Sequence, residues 1–282
     1  MIIFRYLASH SLESLRDARL KVARISSFND PFECMYRASG VMTRAKAKQY
    51  LRARLDSREF LEGLMRSQPH LVSVKAARRF QKANLDKYAS DLIANYDSIK
   101  EAPPEEREAV MDHAFRVVCF SSSEAQPLDE ILLWSHYADK HRGVRIGFEF
   151  PAELTRAFRI SPITYQDVRV AVDLTNDSEE KSVKAALLQS TKTKSRAWAY
   201  EKEYRLMTVL NFCVVERDAK GNAIELLSFE REWVRRIDFG ARCDRQTRND
   251  ILEIVRKDYP QAECFQAGYH RTDYALVYEK LQ

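Results

Sequence analysis

The sequence predicts an α+β fold: a mixed or antiparallel sheet core with an inserted helical layer. Three observations predict it. Short apolar stretches of strand character recur along the whole chain, more of them than a helical bundle would carry. Helices interrupt these stretches at irregular intervals, so no repeating strand–helix unit emerges. One block, 43–115, is helical throughout and dense in charge. The chain has 282 residues, 45% hydrophobic and 31% charged, enough to bury a sizeable core. No internal repeat or low-complexity linker divides it. We read a single domain, 1–282, with 43–115 as an insert or lid.

Met1–Leu7 reads as a first strand, apolar and aromatic around one cation, Arg5. Arginine is seldom buried unless paired, so Arg5 either meets a carboxylate or ligand or lies on the exposed face of an edge strand. Ser9–Asp17 is a short helix capped by Ser11, and Leu20–Ile25 alternates as a second strand. Phe28-Asn29-Asp30-Pro31-Phe32-Glu33 has turn chemistry, since Asx side chains bond the local backbone and Pro fixes φ. Its two phenylalanines are expected to pin the turn to the core, while Asp30 and Glu33 hold a cation or cap a following helix.

Within the insert, Ala45–Phe60, Val74–Ser98 and Pro104–Phe115 carry apolar residues at helical spacing, with Pro104 suited to a helix start. Arg116–Ser121 is a buried-type strand, followed by the polar turn Ser122–Gln126. Leu128–Ala138 is a helix closed near Gly143, and Val144–Phe150 alternates as the next strand. Ile160–Tyr165 is a short strand, Ser182–Ser195 a helix, and a strand opens at Glu201/Glu203. Phe212–Glu216 extends it, Asp218–Asn222 turns, and Ile224–Leu227 returns. Val234–Phe239 is a strand, Thr247–Lys257 an amphipathic helix and Tyr274–Glu279 the last strand.

Composition excludes several classes. The five cysteines (Cys34, Cys119, Cys213, Cys243, Cys264) are scattered and lack Cys-x-x-Cys spacing, against a disulfide framework or a zinc site. Seven glycines, none in a glycine-rich loop, argue against a P-loop or Rossmann-type phosphate cradle. No apolar run nears the roughly 20 residues that cross a bilayer, and no secretory leader pattern opens the chain, so a cytoplasmic protein without membrane contact is expected. The net charge of +5 permits contact with a polyanion without requiring it.

The chemistry concentrates in Trp198–Leu210. Alternation in an extended chain would put Glu201 and Glu203 on one side and Lys202 on the other. Two like charges side by side are costly unless a cation, a metal or a substrate hydroxyl receives them. The competing reading is a charged strand start that is solvated or ion-paired.

Four pieces in this order (Phe4-Arg5-Tyr6, the Phe28–Glu33 turn, Leu133–Ala138 with Arg142–Phe148, and Trp198–Arg205) resemble the bacterial family labelled domain of unknown function 2971. That resemblance implies an anti-phage defence or toxin–antitoxin setting. A looser resemblance is to ADP-ribosyltransferases, which carry an Arg or His on the first strand, a Ser or Tyr on a central strand–helix segment, and a Glu-x-Glu opening a later strand. It implies a split-sheet fold and an enzyme that cleaves NAD and transfers ADP-ribose to an unknown macromolecular acceptor, nucleic acid among the candidates. It assigns Glu203 as the catalytic carboxylate and Glu201 as the residue that positions or deprotonates the acceptor. Arg5, Tyr6, Ser121, His136 and Tyr137 would face the dinucleotide. An Arg fork can orient the dinucleotide, and a carboxylate beside the ribose stabilises oxocarbenium-like charge. Asn29, Asp30 and Glu33 form a further candidate site. Two alternatives remain: a magnesium-dependent nuclease built on Asp30, Glu33, Glu149, Glu201 and Glu203, and a non-catalytic sensor or binding module in which Arg5 and Glu203 form a buried structural salt bridge.

Overall fold

The computed structural model describes residues 1–9, 13–55, 57–68, 70–122, 127–157, 160–173, 175, 188–218 and 221–281. The chain is α+β and folds into two compact units. The first takes Met1–Cys34, Glu108–Val168 and Lys192–Gln282; the second takes Met35–Arg107 and Arg169–Thr191. Strands and helices are numbered along the chain.

The first unit is built on an eight-stranded sheet of β1 (Ile3–Leu7), β4 (Arg116–Ser122), β5 (Val144–Phe148), β6 (Ser161–Pro162), β10 (Glu203–Thr208), β13 (Val234–Phe239), β14 (Glu263–Tyr269) and β15 (Leu276–Lys280). The order is β15-β14-β13-β5-β1-β4-β10-β6. Every pair is antiparallel except β13 with β14. The split expected from the transferase resemblance is not what this sheet shows: its eight strands are hydrogen-bonded without a break. β1 lies at its centre, which removes the edge-strand option for Arg5.

The register divides the sheet into two unlike faces. On one stand Ile3, Val118, Phe120, Ile146, Phe148, Ile237 and Phe239, all buried and joined in one cluster with Ile251 and Val255 of helix α8 (Arg245–Asp258). Each such side chain contributes roughly 1.5–3 kcal/mol by leaving water. On the other face Glu203 pairs with Ser121 and Ser121 with Phe4, while Arg205 pairs with Cys119 and Tyr6 with Arg145. Period-two alternation brings these polar side chains to the same side. Helix α6 (Pro127–Tyr137) packs there through Leu133 and Trp134 against Phe4 and Tyr6.

Several expected boundaries shift because the chain changes sheets. Leu20–Ile25 is not one strand. β2 (Arg19–Lys21) joins a small sheet with β11 (Val214–Arg217) and β12 (Ala223–Ser228), and Ala23 then bridges to Val117 of the main sheet. Ile160–Tyr165 breaks at Ile163 for the same reason: β6 pairs with β10, whereas β7 (Thr164–Gln166) pairs with β9 (Thr193–Ser195). β9 also replaces the C-terminal end of the helix expected over Ser182–Ser195, whose 182–187 portion lies outside the described residues. The Ser11 cap and positions 123–126 lie outside them as well. A 3-10 turn at Leu210–Phe212 separates β10 from β11, so Phe212–Glu216 does not extend the Glu203 strand. β5 does not alternate; all five residues are buried, as befits a strand covered on both faces. Gly143 is needed for close approach, since a Cβ there would lie 2.0 Å from the Leu7 carbonyl oxygen. The helix before it ends instead through Asp139, Lys140 and His141 at φ 48°, 54° and 69°.

In the second unit, β3 (Arg37–Ser39) runs parallel to β8 (Ala171–Asp173), beside α2 (Arg44–Leu55), α3 (Arg58–Ser67) and α4 (Val74–Glu101). The helix expected over Ala45–Phe60 is interrupted at Ser57, whose hydroxyl accepts from the Phe60 amide and starts α3. Met42, Ala47, Ala89 and Tyr96 form one core cluster, and Leu61, Leu71 and Ala77 another. This unit carries 18 Lys and Arg against 13 Asp and Glu. Its balance of +5 equals the net charge of the whole chain.

Candidate functional site

Glu201 and Glu203 meet by a route other than strand alternation. Arg196–Glu201 is a 3-10 helix whose N-cap, Ser195, accepts from the Ala197 amide. Lys202 follows at φ 43°, and Glu203 opens β10. This left-handed residue, costly for a side chain bearing a Cβ, reverses the chain. Both carboxylates thereby reach Lys194 of β9: its Nζ donates to Glu201 Oε2 at 2.6 Å and to Glu203 Oε2 at 3.3 Å. The ammonium also lies 3.3 Å from Glu33 Oε2 and 4.9 Å from the Trp198 ring centroid.

Arg205, fully buried two residues along β10, completes the cluster. Its Nε donates to Glu203 Oε1 at 2.6 Å, and one terminal nitrogen donates to Glu203 Oε2 at 3.1 Å and to Glu33 Oε1. Phe28 lies over the guanidinium at 5.2 Å. The Phe28–Glu33 turn thus contributes one ring and one carboxylate. Phe32 is 61% exposed, so the core anchor of the turn is Phe28. Asp30 is buried and accepts from the Phe32 amide at 2.9 Å, an Asx turn; no helix follows for Asp30 or Glu33 to cap.

Beside this cluster lies a cavity of about 270 Å³ lined by Phe4, Arg5, Tyr6, Phe28, Asn29, Glu33, Cys119, Ser121, Tyr137, Lys194, Glu201, Glu203 and Arg205, among others. Residues separated by more than a hundred positions therefore face one space. His136 and Asp30 are not among its lining residues, and Glu149 lies at the surface, bonded to Arg235. Among the described residues Arg5 meets no carboxylate: it donates to the Cys119 carbonyl at 2.8 Å, and its buried Nε has no hydrogen-bond partner. The expected Arg5–Glu203 salt bridge is not formed, because Arg205 takes Glu203. Tyr137 donates to Glu201 Oε1.

The environments of the two glutamates differ. Burial would raise the Glu203 carboxyl, but Arg205 and Lys194 outweigh it and hold it at about 2. At Glu201 burial prevails over Lys194, and the carboxyl is raised; Glu33 is raised likewise by burial. Lys194 would be lowered by burial, but Glu203, Glu33 and Glu201 push it above its ordinary value. Burial pushes the Cys34 thiol up to about 12 and raises Cys119, so neither offers a thiolate nucleophile.

Among the described residues no group of His, Cys, Asp and Glu is arranged to hold a metal ion. Glu33, Glu201 and Glu203 do converge, but on the Lys194 ammonium.

A second buried arginine lies on the same sheet face. Arg145 donates from Nε to Asp238 at 2.5 Å, and from one terminal nitrogen to Glu130 at 2.8 Å and to the Tyr6 hydroxyl at 3.1 Å. Phe4, Tyr6, Trp134 and Tyr278 ring it with centroids 4.4–5.9 Å away.

Sequence reading missed Lys194 and Arg205 as members of the site. Arg205 was legible, since it alternates with Glu203 on a strand with a buried face. Lys194 was not: it fell within an expected helix, and nothing in local spacing ties it to Glu33.

Residues 133–206 match a family model described as "Protein of unknown function (DUF2971)". The match takes in the last turn and a half of α6 (Leu133–Tyr137), β5, the Lys194 strand and the Glu201–Arg205 turn, and leaves Arg5 and Glu33 outside. Among curated proteins and solved structures, nothing matches the chain. No helix among the described residues is long and apolar enough to cross a membrane.

Proposed function

We propose that this chain, whose residues 133–206 carry the pattern of the DUF2971 family of unknown function, cleaves the nicotinamide–ribose bond of NAD and transfers ADP-ribose to an acceptor. The observation that carries this reading is one cavity lined by Arg5, Tyr137, Glu201 and Glu203, whose two carboxylates are shifted in opposite directions. Glu203 is held ionised down to about pH 2 and Glu201 is raised. Carboxylates pushed apart in this way divide into a fixed anion and a proton acceptor. The Glu203 anion stabilises the oxocarbenium-like ribose as the C1′–N bond breaks and its electron pair leaves with nicotinamide. The acceptor's nucleophile then bonds to C1′, and its proton passes to Glu201, which the Tyr137 hydroxyl and Lys194 orient. Arg5 lines the cavity with its guanidinium held by the Cys119 carbonyl. At about 270 Å³ the cavity suits the nicotinamide–ribose end of the dinucleotide, just below the roughly 300–1,000 Å³ of pockets that enclose drug-sized ligands.

The test is nicotinamide release from NAD, with water or a bacterial extract supplying acceptors. Release by wild type and its loss in Glu201→Gln, with the unfolding midpoint preserved, support the proposal; no release by folded wild type sinks it. Induced expression that drains cellular NAD would extend the reading to a toxin or defence setting. A second reading is favoured by one observation: every carboxylate in the cluster is already paired to Lys194 or Arg205. Such a closed network can specify a fold without catalysis. Both Glu201→Gln and Glu203→Gln would then alter stability alone.

A further inference from the structure

Next to the cavity, on the side of Tyr137, lies a run of aromatic rings that the reaction above does not use. Trp198 and Tyr200 stand in the 3-10 helix that ends at Glu201, with ring centroids 6.1 Å apart and planes at 36°. Tyr200 is 6.4 Å from His136, and His136 is 6.2 Å from Tyr137, whose ring lines the cavity. Trp198 and Tyr200 are half-buried and His136 is exposed. Aromatic rings that serve only as core are covered, as Trp134 is here. These rings instead keep accessible surface at a place where the next ring bonds Glu201.

We propose that His136, Tyr200 and Trp198 form a stacking shelf for a nucleobase, adjoining the cavity through Tyr137. Every base has a π-face, and stacking on aromatic side chains is tolerant of base identity. Lys194 lies 4.9 Å from the Trp198 centroid, so the face of that ring toward Lys194 is taken by a cation and the base stacks toward Tyr200 and His136. The shelf deepens the NAD-cleavage reading, and rests on it for the assignment of the neighbouring cavity to the nicotinamide–ribose end. The shared chemistry is a nucleobase, supplied by a free nucleotide or by a single-stranded nucleic acid.

The experiment measures binding of AMP, nicotinamide mononucleotide and a short oligoadenylate by calorimetry to wild type, His136→Ala, Tyr200→Phe and Tyr200→Ala. Nicotinamide release from NAD is followed in the same preparations. Wild type is expected to bind AMP, and Tyr200→Ala to weaken it roughly five- to a hundredfold. His136→Ala, at an exposed position, should weaken it less, and Tyr200→Phe should retain it. Nicotinamide mononucleotide affinity should be unchanged throughout. Oligoadenylate bound more tightly than AMP, with the same sensitivity to Tyr200→Ala, identifies nucleic acid as the source; equal or weaker binding identifies a free nucleotide. AMP that does not bind wild type, or binds Tyr200→Ala equally well, overturns the shelf. Nicotinamide release with no effect on AMP defeats the shelf and spares the transferase reading; AMP loss without any nicotinamide release does the reverse.

Discussion

Arg145 and Arg205 stand on the same face of one sheet, both buried, both locked to carboxylates, and they differ in what surrounds the ion pairs. Arg145 is enclosed by four aromatic rings and two carboxylates. Its side chain is buried. Arg205 shares Glu33 and Glu203 with a second cation, Lys194, and borders a cavity. Desolvated charge alone therefore does not mark a site. The distinguishing feature is surplus: a third carboxylate, Glu201, which burial raises against the pull of Lys194, next to open volume.

The largest expected effect lies at the Arg145 cluster. Arg145→Ala leaves the wholly buried Asp238 with Arg236 alone, whose Nε donates to it at 2.7 Å, and should cost up to about 5 kcal/mol in urea unfolding, with nicotinamide release per folded molecule little changed. A loss below about 1 kcal/mol would show that water enters and that the two clusters are less unlike than their geometry.

Acid should act mainly through the Arg205 cluster. Glu203 is lowered from 4.5 to about 2, so it stabilises the fold above pH 4.5 and that contribution fades as pH falls from 4.5 through 2. It is on the order of 3 kcal/mol. Unfolding midpoints at pH 5 and pH 2.5 should differ less in Glu203→Gln than in wild type; equal slopes would show that Arg205 does not govern this carboxyl.

Glu201→Gln should separate chemistry from stability. Its raised carboxyl means that ionisation is disfavoured in the fold, so removing the charge should not destabilise the protein. Nicotinamide release should fall by roughly 10²–10⁴-fold, the usual share of general acid–base catalysis. The smallest effect belongs to Lys202, at φ 43° between the two glutamates. Lys202→Gly should stabilise by up to about 1 kcal/mol by relieving left-handed backbone. A clear loss on thermal unfolding would mean that the lysine side chain itself supports the turn.

The sequence made most strands visible because apolar alternation is a local signal, and it singled out Glu201, Glu203, Arg5 and Tyr137 by residue type and order. It misplaced what depends on pairing. β14 went unread because Gln266 and Gly268 break its apolar pattern. β9 was read as helix, since its three residues, Thr193–Ser195, carry no period. Glu201 and Glu203 were placed side by side by alternation; they do converge, but through a left-handed residue that no spacing rule predicts at a lysine. The ion cluster was least legible, because Glu33, Lys194 and Arg205 become neighbours only when β9 and β10 flank the turn.

The position of β1 has a consequence for how this protein is made. Arg5 and Cys119 are 114 residues apart in sequence, and both partners of β1 are synthesised long after it. An apolar, aromatic strand with two open hydrogen-bonding edges therefore waits through translation of the helices between Met35 and Arg107. Such delay slows folding and favours aggregation of incomplete chains. Chains stopped before Val144 should be insoluble, and a bound chaperone should raise the yield of soluble protein.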